Sequence, residues 1–220
     1  MFMKLPKIFQ PFKCNDLIRI GKNYDGGYLV NSLDIIKTNH LISLGIGDDI
    51  SFEQQFHEMN SCGIDAYDGT INSCDSFFQL NRRFHKTNVG EAGLSWDSII
   101  TSHSKEIFLK CDVDGAEYGL LDDFIKTSKN FSGIVMEFHD VHEYDRFNCL
   151  TNFIAKVQQN LVHIHVNNNS YIETPHGYMP MVLELTFTSS NNISWEPVEL
   201  PHELDMPCHE QRSDFRIIFE

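Results

Sequence analysis

Leu41-Ile42-Ser43-Leu44-Gly45-Ile46-Gly47-Asp48-Asp49-Ile50-Ser51-Phe52-Glu53 runs from an apolar segment through two glycines into a stretch of helical character. Residues 41–44 read as a buried strand, Gly45 and Gly47 as a tight turn, and Ser51-Phe52-Glu53 as the opening of a helix. Such a strand–turn–helix lets the backbone approach a ligand closely and aims the free N–H groups of a helix N-terminus at it. Nucleotide-like cofactors bind α/β domains at turns of this kind. The plainer alternative is a turn that uses glycine for backbone reasons alone.

The ligand is narrowed by what the turn lacks. A dinucleotide fingerprint places a third glycine three residues after the second, where the helix packs beside a pyrophosphate. Ile50 stands there instead, and Asp48 and Asp49 would confront a pyrophosphate with like charge. A cofactor with a cationic centre and no phosphate suits this turn better. S-adenosylmethionine fits that description.

The 220 residues suffice for one domain with a substantial core. Seventeen Lys and Arg against 31 Asp and Glu give a formal charge of −14, which predicts that nucleic acid is not a partner. Cys14, Cys62, Cys74, Cys111, Cys149 and Cys208 form no C-x-x-C pair, a pattern of free thiols in a reducing, cytoplasmic setting. No signal-peptide core is evident before Lys13, and no apolar run has the length of a membrane span.

Strand-like and helix-like patterns alternate along the chain, as in an α/β sheet with crossover helices. Strands are predicted at 41–44, 63–67, 84–89, 107–111, 133–138, 161–166 and 181–187. Helices are predicted at 52–60, 95–102, 116–127 and 146–159, with a polar, helix-compatible stretch at 72–81. The last two strands follow one another without a long helix, so an antiparallel final strand is expected. The predicted architecture is a Rossmann-like, class I methyltransferase sheet of seven strands, mostly parallel with one antiparallel, and helices on both faces. Residues 1–220 read as a single domain, in which 189–220 form an arm that is polar and Pro-containing as far as Arg212.

In open α/β sheets ligands sit at the carboxyl ends of the strands. Asp68 ends the second predicted strand, where it would accept from a ribose diol or simply cap the following turn. Asp112, directly after an apolar strand in Lys110-Cys111-Asp112-Val113-Asp114-Gly115-Ala116-Glu117, would hold an ammonium or take a substrate proton. Asp112 and Asp114 would alternatively cap the helix expected from Ala116. Asp25-Gly26-Gly27 is a turn signal that alone reads as a hairpin.

Taken in order, R-x-G-x-x-x-DGGY from Arg19, SLGIGDDISFE from Ser43, YDGT from Tyr67, KCDVDGAE from Lys110 and VMEFH from Val135 resemble the FkbM-type methyltransferases. The resemblance runs from about Arg19 through the Leu183–Thr186 strand, with Asp114 where that family usually carries glutamate. It implies an S-adenosylmethionine-dependent, Rossmann-like enzyme that O-methylates a small polar acceptor, such as a sugar, nucleotide-sugar or phosphate-type precursor of a surface glycan. It further implies that residues 1–40 cover the cofactor, with Lys22, Asp25, Gly26, Gly27 and Tyr28 at its methionine end. Gly45, Ile46 and Gly47 would line its backbone side, Asp68 and Gly69 its ribose, and Asn88, Val89 and Gly90 its adenine. Asp112 and Val113 would lie near the methyl donor, and S-adenosylhomocysteine would be the product.

Methyl transfer to a hydroxyl requires an acceptor held in line and a group that removes its proton. His139, just past the fifth strand, is the preferred base, with Glu137 either orienting it or serving as a structural partner. His163 and His165 share one strand face, followed by Asn167-Asn168-Asn169, which suits a polar substrate or an ordinary turn. A divalent metal among Asp112, Glu137, His139 and His165 is chemically reasonable, although no spacing demands it. Two rival readings are a non-catalytic cofactor-binding protein on this scaffold and a nicotinamide-dependent oxidoreductase.

Overall fold

Seven strands form the central sheet: β1 (His40–Leu44), β2 (Gly63–Tyr67), β3 (Arg82–His85), β4 (Ile107–Cys111), β5 (Phe131–Phe138), β6 (Asn160–Val166) and β7 (Leu183–Thr188). The structure is a computed structural model that describes residues 2–74, 82–91, 93–103, 105–175 and 177–220. The strands lie in the order β6-β7-β5-β4-β1-β2-β3. β7 is antiparallel to both neighbours and every other pairing is parallel. This is the order and the single reversal of a Rossmann-like methyltransferase sheet. The order turns back between β1 and β4, which opens a crevice at their carboxyl ends.

Strands β1, β4 and β5 read as continuous apolar runs because both of their faces are covered. Leu41, Phe108 and Val135 enter one core with α2 (Ser51–Asn60), which lies beside α1 (Ser32–Lys37), and with the antiparallel hairpin Leu17–Gly21/Gly27–Asn31. Ile42, Leu109 and Ile134 enter the other, beneath α3 (Trp96–Ile100), α4 (Leu121–Thr127) and α5 (Tyr144–Lys156). The helical spacing of Leu150, Phe153 and Val157 on α5 is that of its buried face. The Phe153 ring stands 5.9 Å from Phe138 and 5.5 Å from Phe187, tying α5 to β5 and β7.

Some boundaries differ from the sequence expectation. β3 stops at His85 instead of running to Val89, because β2, the one strand it pairs with, ends at Tyr67. The helix expected from Ala116 is broken into a 3-10 turn at Glu117–Gly119 and α4 from Leu121. Glu117 is the cause: its carboxylate turns back to accept from the Gly115 and His139 backbone N–H groups. Asp114 therefore caps no helix, and its side chain is exposed. Of the polar stretch 72–81, residues 72–74 are not helical and 75–81 lie outside the described residues.

The connection from β6 to β7 carries a hairpin, Tyr171–Thr174 with Gly177–Pro180. It joins Phe2–Leu5 and Arg216–Phe219 in a second, four-stranded sheet. Beyond β7 the chain is largely irregular, apart from a short pairing of Ile193–Ser194 with Lys13–Cys14. No helix among the described residues is long and apolar enough to cross a membrane.

Candidate active site

The carboxyl ends of β1, β2, β4 and β5 open into a cleft of 880 Å³, closed on its far side by the turn of the N-terminal hairpin. Arg19 shapes that turn by donating to the carbonyls of Lys22 and Tyr24, at 2.6 and 2.7 Å. Its guanidinium passes so close to Gly27 that a Cβ there would lie 2.2 Å from Nη1.

At the end of β1, Gly45 has φ +74° and packs against the backbone of Asp112, whose carbonyl oxygen a Cβ would approach to 1.6 Å. Lys110 donates to the Gly45 carbonyl at 2.7 Å. Burial opposes the Lys110 charge, but Glu53 and then Asp112 outweigh it and hold the ammonium above its usual pKa. Glu53 in turn accepts from Ser43 at 2.5 Å. Sheet, turn and helix are thus fastened beneath the glycines by a buried ionic core.

Asp68 fastens the turn from above. Its Oδ2 accepts from the N–H groups of Ile46 and Gly47 at 3.1 and 2.9 Å. Its Oδ1 accepts from the Thr70 backbone at 2.8 Å and the Thr70 hydroxyl at 2.6 Å. Burial raises the pKa of this carboxyl, yet the four donors bring it below the ordinary range. The two N–H groups that would meet a phosphate at a dinucleotide turn are therefore already engaged by a carboxylate.

The opposite wall is acidic and layered. Tyr28 places its hydroxyl 3.0 Å from Asp112 Oδ2 and 3.2 Å from Glu137 Oε2. Burial pushes the Glu137 pKa well above the usual carboxylate value, reinforced by the charges of Asp112, Glu184 and Asp25. The Tyr28 hydroxyl thereby faces both carboxyl groups, with one proton to donate between them. Asn167 donates to the other Glu137 oxygen at 3.1 Å and to Asp25 at 3.3 Å, linking β6 to the hairpin turn.

His139 sits beside this group. Its Nε2 lies 3.9 Å from Asp112 and 3.8 Å from Glu137, while Nδ1 faces Glu117 at 3.5 Å. Burial works against the imidazolium, but Glu117 and then Asp112 and Asp114 prevail, and the His139 pKa rises above its ordinary value. Glu117 is the carboxylate nearest the ring, short of a hydrogen bond to Nδ1, and accepts from the His139 backbone N–H at 2.7 Å. Tyr118 adds a hydrogen bond to the His139 carbonyl at 2.6 Å.

Every residue named from the sequence as cofactor-binding or catalytic lines this cleft except Gly27, which packs under Arg19. His165 is not among the lining residues. It pairs instead with Glu184 and Asp214, so the four-residue metal group considered from the sequence is divided. Asp112, Glu137 and His139 remain close, with the Tyr28 hydroxyl between the two carboxyl groups. Lys110, Glu117 and Glu53 all stand in the motifs quoted from the sequence, which assign them no role in the site. The usable signal was charge on faces otherwise apolar, as at Glu53 between Phe52 and Phe56 of α2.

No protein-family model and no curated protein sequence matches the chain. Solved structures do resemble it. A proposed RNA methyltransferase of Pyrococcus horikoshii aligns at 9% identity and TM-score 0.45, covering 73% of this chain and 78% of its own. A precorrin-6y C5,15-methyltransferase of Geobacter metallireducens aligns at 11% identity and TM-score 0.43, over 72% of this chain and 85% of its own. A variant of the 16S rRNA (adenine(1408)-N(1))-methyltransferase of Catenulisporales acidiphilia gives 7% identity and TM-score 0.39, over 79% and 98%. These likenesses are loose and concern the fold alone. Two of the three are named for RNA, against which the expectation that nucleic acid is not a partner does not stand.

Proposed function

We propose that the chain is an S-adenosylmethionine-dependent methyltransferase that O-methylates a polar acceptor, a sugar, nucleotide-sugar or phosphate-type precursor of a surface glycan. The observation that carries the cofactor assignment is the Asp68 carboxylate seated on the Ile46 and Gly47 N–H groups. It withdraws the donors a pyrophosphate needs. With Asp25 and Asp112 it also makes the cleft acidic, which suits a cofactor bearing a sulfonium and an ammonium. Gly47 adds room: nothing lies within 4 Å of the position its Cβ would take.

In this proposal Asp25 and Asp112 hold the ammonium, Gly45 to Gly47 pack against the cofactor's sugar, and Asn88 to Gly90 frame its base. Asp68 meets the ribose hydroxyls from the carboxylate edge that also orders the turn. Bound there, S-adenosylmethionine would supply an electrophilic methyl whose sulfonium leaves as a neutral thioether. His139 receives the acceptor's hydroxyl proton on Nε2, with its Nδ1–H directed at Glu117. Glu137 and Asp112 share the Tyr28 hydroxyl, which positions Asp112 from the hairpin side. Of residues 1–40, only the hairpin turn from Lys22 to Tyr28 closes over the cofactor, because Phe2–Leu5 is taken up by the second sheet, and the whole folds as one domain. The free thiols fit the cytoplasm.

Calorimetric titration with S-adenosylhomocysteine, with NADH in parallel, tests the assignment. Micromolar binding of the first and none of the second is expected. Binding of NADH, or of neither, would sink it. Acceptor screening then sets hydroxylated sugars and nucleotide-sugars beside RNA. Cofactor binding without turnover of any acceptor would favour the non-catalytic alternative.

A further inference from the structure

We propose that His165, Glu184 and Cys208 form a structural site for a zinc-class divalent metal that fastens the C-terminal arm to the sheet. The three side chains come from β6, β7 and the arm, and their exposures are only 5, 5 and 8%. One donor atom from each lies within 4.8 Å of the other two. His165 Nδ1 stands 3.1 Å from Glu184 Oε2, Cys208 Sγ 3.1 Å from Glu184 Oε1, and Sγ 4.0 Å from Nδ1. Zinc bonds of about 2.0–2.3 Å meeting near the tetrahedral angle place donor atoms about 3.3–3.7 Å apart. The two 3.1 Å spacings go to different oxygens of Glu184. With one oxygen taken as the donor, the three spacings run from 3.1 Å to no more than 4.8 Å, and the side chains must draw together by up to about an ångström to reach that range.

Donor chemistry and orientation point the same way. A thiolate, an imidazole and a carboxylate together suit zinc and its neighbours, and would be a poor set for magnesium or calcium. The second ring nitrogen of His165 faces Asp214 Oδ1 at 3.3 Å. A carboxylate behind a histidine in this way places the proton on Nε2 and frees the Nδ1 lone pair for a metal. Arm and strand are also held in register around the cysteine. Buried Asn168 accepts from the His209 N–H at 2.6 Å and donates to the Arg212 carbonyl at 3.1 Å. Metal uptake would replace the thiol proton and any proton on His165 Nδ1, both released to solvent. Three protein donors leave a fourth position for water.

The test uses the full chain, produced without a histidine tag, treated with chelator and titrated with cobalt(II). The expected result is one tight equivalent accompanied by a sulfur-to-cobalt charge-transfer band. That band should disappear in Cys208→Ser and persist in Cys149→Ser, whose sulfur is exposed. The His–carboxylate groupings around Asp65 and Asp112 have no sulfur in them and cannot imitate it. Should Cys208→Ser fail to fold, alkylation of the wild-type protein in mild denaturant decides instead. Bound zinc should slow modification of Cys208 at least tenfold, as read by peptide mass mapping. Cobalt binding without the band, an unchanged band in folded Cys208→Ser, or equal alkylation with and without zinc would overturn the proposal. In each of those cases the cluster is an imidazole–carboxylate pair with a thiol donor. None of these readouts depends on cofactor or acceptor, so the methyltransferase assignment stands or falls separately.

Discussion

The hydroxyl of Tyr28 donates to Oδ2 of Asp112 at 3.0 Å, joining the N-terminal hairpin to the end of β4 across the cleft. This bond lets a segment that precedes the sheet in the chain become a wall of the site. Tyr28→Phe removes the donor and leaves the ring in place. A buried hydrogen bond to a charged group is worth about 1.5–3 kcal/mol. Urea unfolding of the variant should show a loss in that range, and turnover should fall more than S-adenosylhomocysteine affinity does. An unchanged midpoint would mean that the hydroxyl contributes nothing to the fold.

The two glycines of the turn should respond differently to alanine. At Gly45 the new Cβ would overlap the Asp112 carbonyl, with φ already at +74°. At Gly47 φ is +53° and the space is open. Gly47→Ala should cost about 1 kcal/mol of backbone strain and fold normally. Gly45→Ala should cost several-fold more or yield insoluble protein, as read by thermal melts of the two variants side by side.

Asp68→Ala releases the Ile46 and Gly47 N–H groups and removes the proposed ribose acceptor together. Affinity for S-adenosylhomocysteine should drop at least tenfold, about 1.4 kcal/mol, with the fold retained by circular dichroism. If Asp68 excludes phosphate, the same variant should also gain measurable affinity for NADH.

His139 as base predicts a defined pH profile. The neutral ring is the active form, so kcat should fall as pH drops through the His139 pKa. Glu117 and its acidic neighbours place that inflection above the ordinary imidazole value. Glu117→Gln should move it down, while His139→Ala should lower kcat by about 10²–10⁴-fold. S-adenosylhomocysteine binding should persist in both. A profile that ignores Glu117→Gln would assign the base elsewhere.

Much of the sheet was legible because β1, β4 and β5 are buried on both faces and so read as unbroken apolar runs. The strand-end residues Asp112 and His139 could be located for the same reason, since they directly follow β4 and β5, while Asp68 was placed by the end of the shorter β2. Edges were less legible. β3 pairs on one side only, and its length is set by β2, which no local pattern in 84–89 records. The second sheet was invisible because Phe2–Leu5 takes its partners from 177–180 and 216–219. Glu117 escaped notice since its partners are backbone N–H groups, which leave no trace in side-chain pattern.

The position of β7 has a consequence for biogenesis. It lies between β5 and β6, yet it is synthesised after both. Until Leu183–Thr188 leaves the ribosome, the emerging chain carries β5 with one edge unpaired and β6 with no neighbour in the sheet. Exposed apolar strand edges are where chains associate with one another. The interval between translation of Val166 and Thr188 is therefore the time of greatest aggregation risk, and a chain terminated before Leu183 should accumulate as insoluble material even though most of its sheet is already encoded.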